Sequence, residues 1–253
     1  MNNISKNIIN FRENKQKIDI PKIKKTGLSI SDGYEIQNEI YDHYSKSEEF
    51  TGWKIGCTTK VMQKYLKIPS PCLGRVMKKN ILKGDSKVDF MNFIRPGVEC
   101  EIGVILSKEF DINTKKPLEK IIEKIVPSIE IVDDRWPDYK KEKTAILIAD
   151  DFFASSIVYG EGININDIKD LSNIRGFMSC NNSKLGEGKG SDILQDPLNA
   201  LRWFLEFNFK DNNVPKAGDL ISLGSIVQTY WVNQNDTIKI DLEKIGKVEV
   251  QFK

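Results

Sequence analysis

The sequence predicts an α+β fold whose sheet is largely antiparallel. Helical spacing of apolar residues dominates the beginning of the chain, and short apolar runs separated by turn residues dominate its later part. No internal repeat and no convincing linker divides the sequence. We therefore expect an N-terminal helical segment, residues 1–50, packed on a main domain that comprises residues 51–253.

The predicted helices have recognisable ends. Residues 1–27 favour a helix followed by an extended linker, and Ser29 can cap a second helix that reaches about residue 46. Asp32 stands three residues after Ser29, in the position that completes a capping box. Further helices are predicted at 59–67, from Pro117 through Ile125, and from the cap-like pair Asp196–Pro197 to about 207.

The predicted strands are short apolar or alternating runs. They lie at 53–57, 97–106, 128–132, 220–223, 237–242 and 247–252. The last two strands are expected to form a hairpin through Lys244–Ile245–Gly246. The glycine-rich run at 185–190 predicts a turn; a phosphate-binding loop is the alternative, but no strand–turn–helix unit surrounds it.

Composition excludes several classes of protein. Lys+Arg of 38 against Asp+Glu of 36 leaves a formal charge of +2, so the chain carries no electrostatic footprint for nucleic acid. Its apolar runs are too short to span a membrane, and its start lacks a signal-peptide core, so we expect a cytoplasmic protein. Four cysteines without a C-x-x-C pair indicate reduced thiols. A single histidine, His43, excludes a metal site built from several imidazoles.

Carboxylates are therefore the main candidates for chemistry. In PGVECEIGVIL, Glu99 and Glu101 fall on one face of a strand with Cα atoms roughly 6.5–7 Å apart. A solvated strand face shows the same alternation, so this pair alone does not decide between a metal site and a plain surface. In SIEIVDDRW, Glu130 lies within an unusually apolar strand, where uncompensated repulsion between carboxylates would be costly.

Three carboxylates without imidazole or thiolate partners match Mg²⁺ or Mn²⁺ rather than zinc. Three protein ligands on an octahedral ion leave positions for water and substrate. A 2-oxo acid can fill two of them through its carboxylate and keto oxygens, and the ion then polarises its carbonyl.

The segments GWKIGCTTKVMQ, PGVECEIGVIL, PSIEIVDDR, IADDFFASSIVYG and AGDLISLGS occur in an order that resembles the fumarylacetoacetate hydrolase superfamily. More closely, residues 28–253 resemble its 2-oxopent-4-enoate hydratase and 4-oxalocrotonate decarboxylase branch. The resemblance implies a compact mixed β-roll that forms an oligomeric enzyme. It also implies that Glu99, Glu101 and Glu130 are metal ligands and that Lys54 is the catalytic lysine.

The remaining candidate residues have competing interpretations. Lys54 could face solvent, transfer a proton with a lowered pKa if it is buried near the metal, or pair with a substrate carboxylate. Gly224 and Ser225 match a Gly-[ST] pair that the resemblance assigns to substrate binding, although a strand-ending turn looks the same. Two segments depart from the branch: Cys72 replaces an acid that assists proton transfer, and the segment at 149–154 is bulkier and more acidic than usual.

The sequence thus predicts a Mg²⁺- or Mn²⁺-dependent lyase, a hydratase or decarboxylase, that acts on a short 2-oxo or 2-hydroxydienoic acid. The partner is a small molecule, with no nucleic acid and no membrane, and a homo-oligomer is expected. An acylpyruvate-type C–C hydrolase is the alternative enzyme, although it needs a water-activating base. A non-catalytic partner subunit of a related enzyme is the other alternative, favoured by Cys72.

Overall fold

The computed structural model describes residues 1–21, 25–113, 115–210 and 213–253. Within them the chain forms two mixed β-sheets flanked by short helices. The helices are α1 (Asn3–Glu13), α2 (Ile30–Tyr44), α3 (Lys60–Leu66), α4 (Leu118–Ile121), α5 (Thr144–Ala149) and α6 (Pro197–Leu205). The strands are β1 (Phe50–Gly56), β2 (Cys72–Met77), β3 (Ile81–Lys83), β4 (Ser86–Val88), β5 (Pro96–Leu106), β6 (Ile122–Asp133), β7 (Ala154–Tyr159), β8 (Arg175–Cys180), β9 (Ser183–Lys189), β10 (Leu220–Ser225), β11 (Tyr230–Trp231), β12 (Thr237–Leu242) and β13 (Gly246–Phe252).

Most neighbouring strands run antiparallel. The first sheet has the order β2-β1-β10-β5-β6-β7-β3, with β11 paired to β5, and the second has the order β4-β13-β12-β8-β9. The pairs β1–β10, β3–β7 and β4–β13 are parallel. This arrangement confirms the predicted α+β class with a mixed, largely antiparallel sheet.

Strand β5 divides the molecule into a packed side and a polar side. Val98, Cys100, Ile102 and Val104 are fully buried in the largest apolar cluster, which also holds side chains from the second sheet. Packing of the two sheets therefore uses one face of β5. The opposite face carries Glu99 and Glu101, so the candidate ligands lie away from the apolar core.

The N-terminal helices cover the edge of the first sheet. Strand β2 is an edge strand, and helix α2 satisfies its outer backbone groups: the Leu73 amide donates to the Tyr34 hydroxyl, and Gln37 Nε2 donates to the Leu73 carbonyl. The Arg75 amide donates to Asp151 Oδ1. Edge groups that are paired in this way cannot recruit a strand from another chain. The division into segments 1–50 and 51–253 stays a prediction.

Helix ends follow their capping signals. Ser29 and Asp32 form the predicted capping box at α2, and Asp196 caps α6 with Pro197 in its first turn. The predicted N-terminal linker lies partly at 22–24, outside the described residues. No described helix has both the length and the hydropathy needed to cross a bilayer.

Two predicted elements are wrong. The helix from Pro117 ends at Ile121, and Ile122 already belongs to β6, because this β-branched run pairs with β5 up to Leu106. The glycine-rich run at 185–190 is largely strand β9, paired to β8, rather than a turn or a phosphate loop. A side chain at Gly188 would approach the Ile226 carbonyl oxygen to 1.9 Å, so its glycine permits close packing within a strand.

Candidate metal site

The register between β5 and β6 brings the three predicted carboxylates together. Glu99 lies directly opposite Glu130, and Glu101 lies two residues further along the same face of β5. One carboxylate oxygen from each of the three residues lies within 4.8 Å of the others. Pairing of β5 with β6 therefore brings Glu99 and Glu130 together although they lie far apart in the sequence.

Burial makes this cluster electrostatically unfavourable when it is fully ionised. Glu101 is 1% exposed and Glu130 is fully buried. Burial, followed by repulsion from Glu130 and Glu99, raises the pKa of Glu101 well above its ordinary value. Burial also raises the pKa of Glu130 to about 7, although Lys54 opposes the shift. A positive charge in the cluster would relieve this cost.

Lys54 supplies part of that charge from strand β1. Its side chain is buried, and its Nζ lies 3.1 Å from Glu130 Oε1. Burial disfavours its ammonium form, but attraction to Glu130, Glu99 and Glu101 outweighs burial and raises the pKa of Lys54. Lys54 therefore does not face solvent. Its pKa is raised, whereas the sequence analysis expected a lowered pKa for a lysine buried near a metal.

The cluster suits a hard divalent cation. Glu101 Oε2 accepts a hydrogen bond from the Gly224 amide at 3.1 Å, and a Glu99 oxygen accepts one from the Thr229 hydroxyl. Both oxygens of Glu130, by contrast, are buried; Oε1 is ion-paired with the Lys54 ammonium, and Oε2 has no hydrogen-bond partner among the described residues. Oxygen ligands with unused lone pairs match Mg²⁺ or Mn²⁺, so the residues present fit such an ion.

Gly224 and Ser225 adjoin the cluster in different ways. Gly224 has φ +120°, and a side chain there would approach Thr58 Oγ1 to 2.3 Å, so the position requires glycine. Ser225 pairs with Glu101 in the sheet, but its hydroxyl donates to the Val227 carbonyl at 2.6 Å. Gly224 thus supports a candidate ligand through its backbone, and the substrate-binding role of both residues stays a prediction.

Gly74 and Phe152 lie against the side chain of Lys54. A side chain at Gly74 would approach the Asp151 carbonyl oxygen to 2.4 Å and carbons of Lys54 to 3.1 Å. The Lys54 Nζ lies 5.3 Å from the centre of the Phe152 ring, within the range of a cation–π contact. Gly74 lies two residues after Cys72, in the segment that departs from the branch pattern. A single sequence gives no sign that this glycine leaves room for the Lys54 side chain.

The segment that carries Phe152 is strained and strongly anchored. Asp151, Phe152 and Phe153 have φ of 52°, 49° and 69°, a left-handed conformation that costs about 1–2 kcal/mol per residue for side chains with a Cβ. Arg12 of α1 forms ion pairs with both Asp150 and Asp151. Its Nε donates to Asp150 Oδ1, and its Nη1 donates to Asp151 Oδ2. Sequence analysis identified this segment only as a departure and missed its ionic anchor.

Arg135 completes the anchor from the end of β6. Its Nε donates to Asp150 Oδ2 at 3.0 Å, and its Nη2 donates to the Asp150 carbonyl at 3.0 Å. Asp150 is fully buried, so its negative charge is compensated by two arginines rather than by water. The ionic network therefore fixes the strained backbone beside Lys54.

Cys72 lies on the same face as Lys54. It pairs with Gly56 in β2–β1 and is 1% exposed, and its thiol, together with burial, raises the pKa of the neighbouring Cys57. All four cysteines are free and buried, as expected for reduced thiols. His43, near the end of α2, lies 3.2 Å from Glu13 of α1. The departure at Cys72 therefore adjoins the candidate site.

The model of the fumarylacetoacetate (FAA) hydrolase C-terminal domain matches residues 81–253. The chain belongs to this family. A 2-keto-4-pentenoate hydratase of Paraburkholderia xenovorans is 28% identical over 231 residues, which cover 89% of this chain and 84% of the relative. A 4-oxalocrotonate decarboxylase of a Pseudomonas species is 24% identical and covers 87% and 86% of the two chains.

A solved structure has the same fold over nearly the whole length. The 4-oxalocrotonate decarboxylase of Pseudomonas putida G7, complexed with magnesium and adipate, superposes with a TM-score of 0.88 at 21% identity, covering 99% of this chain and 96% of that one. The predicted fold and family branch are confirmed. Because these relatives are a hydratase and decarboxylases, they support an enzyme of the lyase kind.

Proposed function

We propose that this protein is a Mg²⁺- or Mn²⁺-dependent hydratase or decarboxylase that acts on a short 2-oxo or 2-hydroxydienoic acid. The observation that carries the proposal is the convergence of Glu99, Glu101 and Glu130 beside the buried ammonium of Lys54. A scaffold protein has no need to retain three carboxylates and a lysine in a site where burial opposes all their charges.

The three glutamates would hold the cation through carboxylate oxygens. When bound, the cation supplies a Lewis acid that polarises a 2-oxo group and stabilises adjacent negative charge. The glutamates fix its place because Glu101 accepts the Gly224 amide and Glu99 accepts the Thr229 hydroxyl. Glu130 keeps Oε2 available, while its Oε1 is paired with Lys54.

Lys54 is the proposed proton-transfer group. Its ammonium lies in a buried setting next to the carboxylates, where it delivers a proton to the substrate carbon beside the oxo group or receives one from it. A cation shared by the three carboxylates would weaken their attraction for the Lys54 ammonium, and burial would then favour its neutral, proton-accepting form.

Gly224 and Ser225 are proposed to meet the substrate carboxylate. Strand β10 ends at Ser225, and Gly224 is placed against both Thr58 and Glu101. We further propose that the enzyme works in the cytoplasm as a homo-oligomer on small molecules. Light scattering on the purified protein tests the oligomer directly.

The decisive test of function is a panel of 2-oxo acids and dienols assayed with Mg²⁺ and with Mn²⁺. Metal-dependent loss of substrate absorbance by the purified chain is the expected result, and it is abolished by EDTA. Absence of turnover on every member of the panel, despite metal binding, would favour the non-catalytic partner subunit. Release of pyruvate by cleavage of an acylpyruvate would favour the C–C hydrolase instead.

A further inference from the structure

We propose that the distal end of the substrate is an apolar group, alkyl or aryl, rather than a second carboxylate. The inference rests on the proposed function, because it assumes that the 2-oxo acid end lies at the three glutamates and Lys54. It distinguishes between two kinds of substrate named among the relatives, a monocarboxylate and a dicarboxylate.

Four aromatic side chains form a continuous row beside the glutamates. In this aromatic row, the ring centres of Phe152 and Phe153 are 5.4 Å apart, those of Phe153 and Tyr139 are 5.4 Å apart, and those of Tyr139 and Trp231 are 6.3 Å apart. Aromatic rings at such separations form one apolar surface rather than separate patches.

The aromatic row begins and ends at the candidate site. At one end, the Phe152 ring centre lies 5.3 Å from Lys54 Nζ. At the other end, Trp231 pairs with Gly97 on β5, and its ring atoms lie 2.8 and 2.9 Å from the position of a Gly97 Cβ. Gly97 precedes Glu99 by two residues and shares its strand face. A substrate held at the glutamates therefore extends its tail along the aromatic row.

Exposure differs along the row. Tyr139 and Trp231, the outer rings, are half-buried, whereas Phe152 and Phe153 are 8% and 7% exposed. An apolar tail that lies on the outer rings would remove its own surface and theirs from water, which is the favourable term in such binding. A charged tail would lose its hydration without that gain.

The charges around the outer rings do not favour a carboxylate. Arg95 stacks on Trp231 with its guanidinium carbon 4.3 Å from the ring centre, but its Nη1 is paired with Asp134 Oδ2 at 2.9 Å. The acids near Tyr139 are Asp134 and Asp138, which are ion-paired with Arg95 and Lys141. A second carboxylate would have to compete with these acids for cations that are already paired.

Calorimetry with two matched ligands tests the inference. The ligands 2-oxohexanoate and 2-oxoadipate differ only in whether the last carbon is a methyl or a carboxylate, and pyruvate reports the head group alone. With Mn²⁺-loaded protein, we expect 2-oxohexanoate to bind at least about tenfold more tightly than 2-oxoadipate. Equal or tighter binding of 2-oxoadipate, lost in Arg95→Gln, would overturn the inference and assign the distal site to Arg95.

Substitutions at Tyr139 separate the row from the head-group site. Tyr139→Ala removes one ring and should weaken 2-oxohexanoate while leaving pyruvate affinity unchanged, and Tyr139→Phe should retain the parent affinity for both. Equal loss for both ligands in Tyr139→Ala would contradict a role restricted to the tail. If none of the three ligands binds in the presence of Mn²⁺, the proposed function fails and takes the inference with it.

Discussion

Replacing Glu101 by glutamine should remove metal binding without unfolding the protein. The substitution keeps the size of the side chain but removes one of three negative charges in a buried cluster. The ligand oxygens lie within 4.8 Å of one another, and at that limit two unit charges repel by about 3.5 kcal/mol with an effective dielectric constant near 20. Glu101 takes part in two such pairs, and its raised pKa reflects them.

In the metal-free protein, the glutamine carbonyl oxygen can still accept the Gly224 amide, and the substitution relieves the repulsion. The metal-bound protein loses a ligand instead. A ligand at about one hundred times its Kd stabilises the folded state by about 2.7 kcal/mol. In a chain of this size, that stabilisation raises the melting temperature by about 5–10 °C. The parent protein should show this rise with Mn²⁺, and Glu101→Gln should show almost none.

Melting curves with Mn²⁺ and with EDTA measure both effects, and calorimetry gives the Mn²⁺ affinity. Glu123→Gln is the matched control, because Glu123 is an exposed carboxylate on the same strand as Glu130. The control should keep the full Mn²⁺-dependent rise. Unchanged Mn²⁺ affinity in Glu101→Gln would refute the assignment of Glu101 as a ligand.

Three further predictions concern Lys54, Cys72 and pH. Lys54→Ala should lower turnover by orders of magnitude while leaving Mn²⁺ affinity largely intact, as loss of a positioned proton-transfer group requires; unaltered turnover would exclude that role. We expect the parent protein to hydrate 2-hydroxypenta-2,4-dienoate weakly, Cys72→Asp to hydrate it faster, and Cys72→Ser to show no gain. Robust hydration by the parent that Cys72→Asp does not improve would show that an acid at position 72 is dispensable. Burial raises the pKa of Glu130 from 4.5 to about 7. Between these pH values, the folded metal-free protein therefore binds more protons than the unfolded chain. Its melting temperature should fall as the pH rises through this window. The raised pKa of Lys54 acts only at much higher pH, and Mn²⁺ should restore stability above pH 7; a metal-free melting temperature that rises across the window would contradict the shift.

The positions of the three glutamates could be predicted because strand alternation is a local rule. Glu99 and Glu101 share a face whatever the partner strands are, and Glu130 was recognisable as a charge in an apolar strand. The exact register that sets Glu130 opposite Glu99 was not available from one sequence, since it depends on pairing with a distant strand. The family resemblance supplied that link.

The environment of Lys54 was much harder to predict. Its direction of pKa shift depends on how many carboxylates lie within reach, which only the assembled sheet determines. The contact with Phe152 depends on left-handed backbone at non-glycine residues, which no propensity indicates. The Thr229 hydroxyl on Glu99 likewise has no local signature.

The helix predicted from Pro117 shows a different kind of error. Isoleucines at 121, 122 and 125 satisfy helical spacing, yet those at 122 and 125 also fit a strand. Pairing with β5 over most of its length decides in favour of the strand. The glycines of β9 were misread for the same reason, because close packing against Ile226 is a tertiary contact.

Turnover of a 2-hydroxydienoic or 2-oxo acid by the purified chain, measured with and without divalent metal, is the most direct test of the proposed lyase. We predict loss of substrate absorbance that requires Mg²⁺ or Mn²⁺, stops with EDTA, and is absent in both Glu101→Gln and Lys54→Ala. Turnover that persists in EDTA, or that survives in Glu101→Gln at the parent rate, would contradict a reaction that depends on a metal held by the three glutamates.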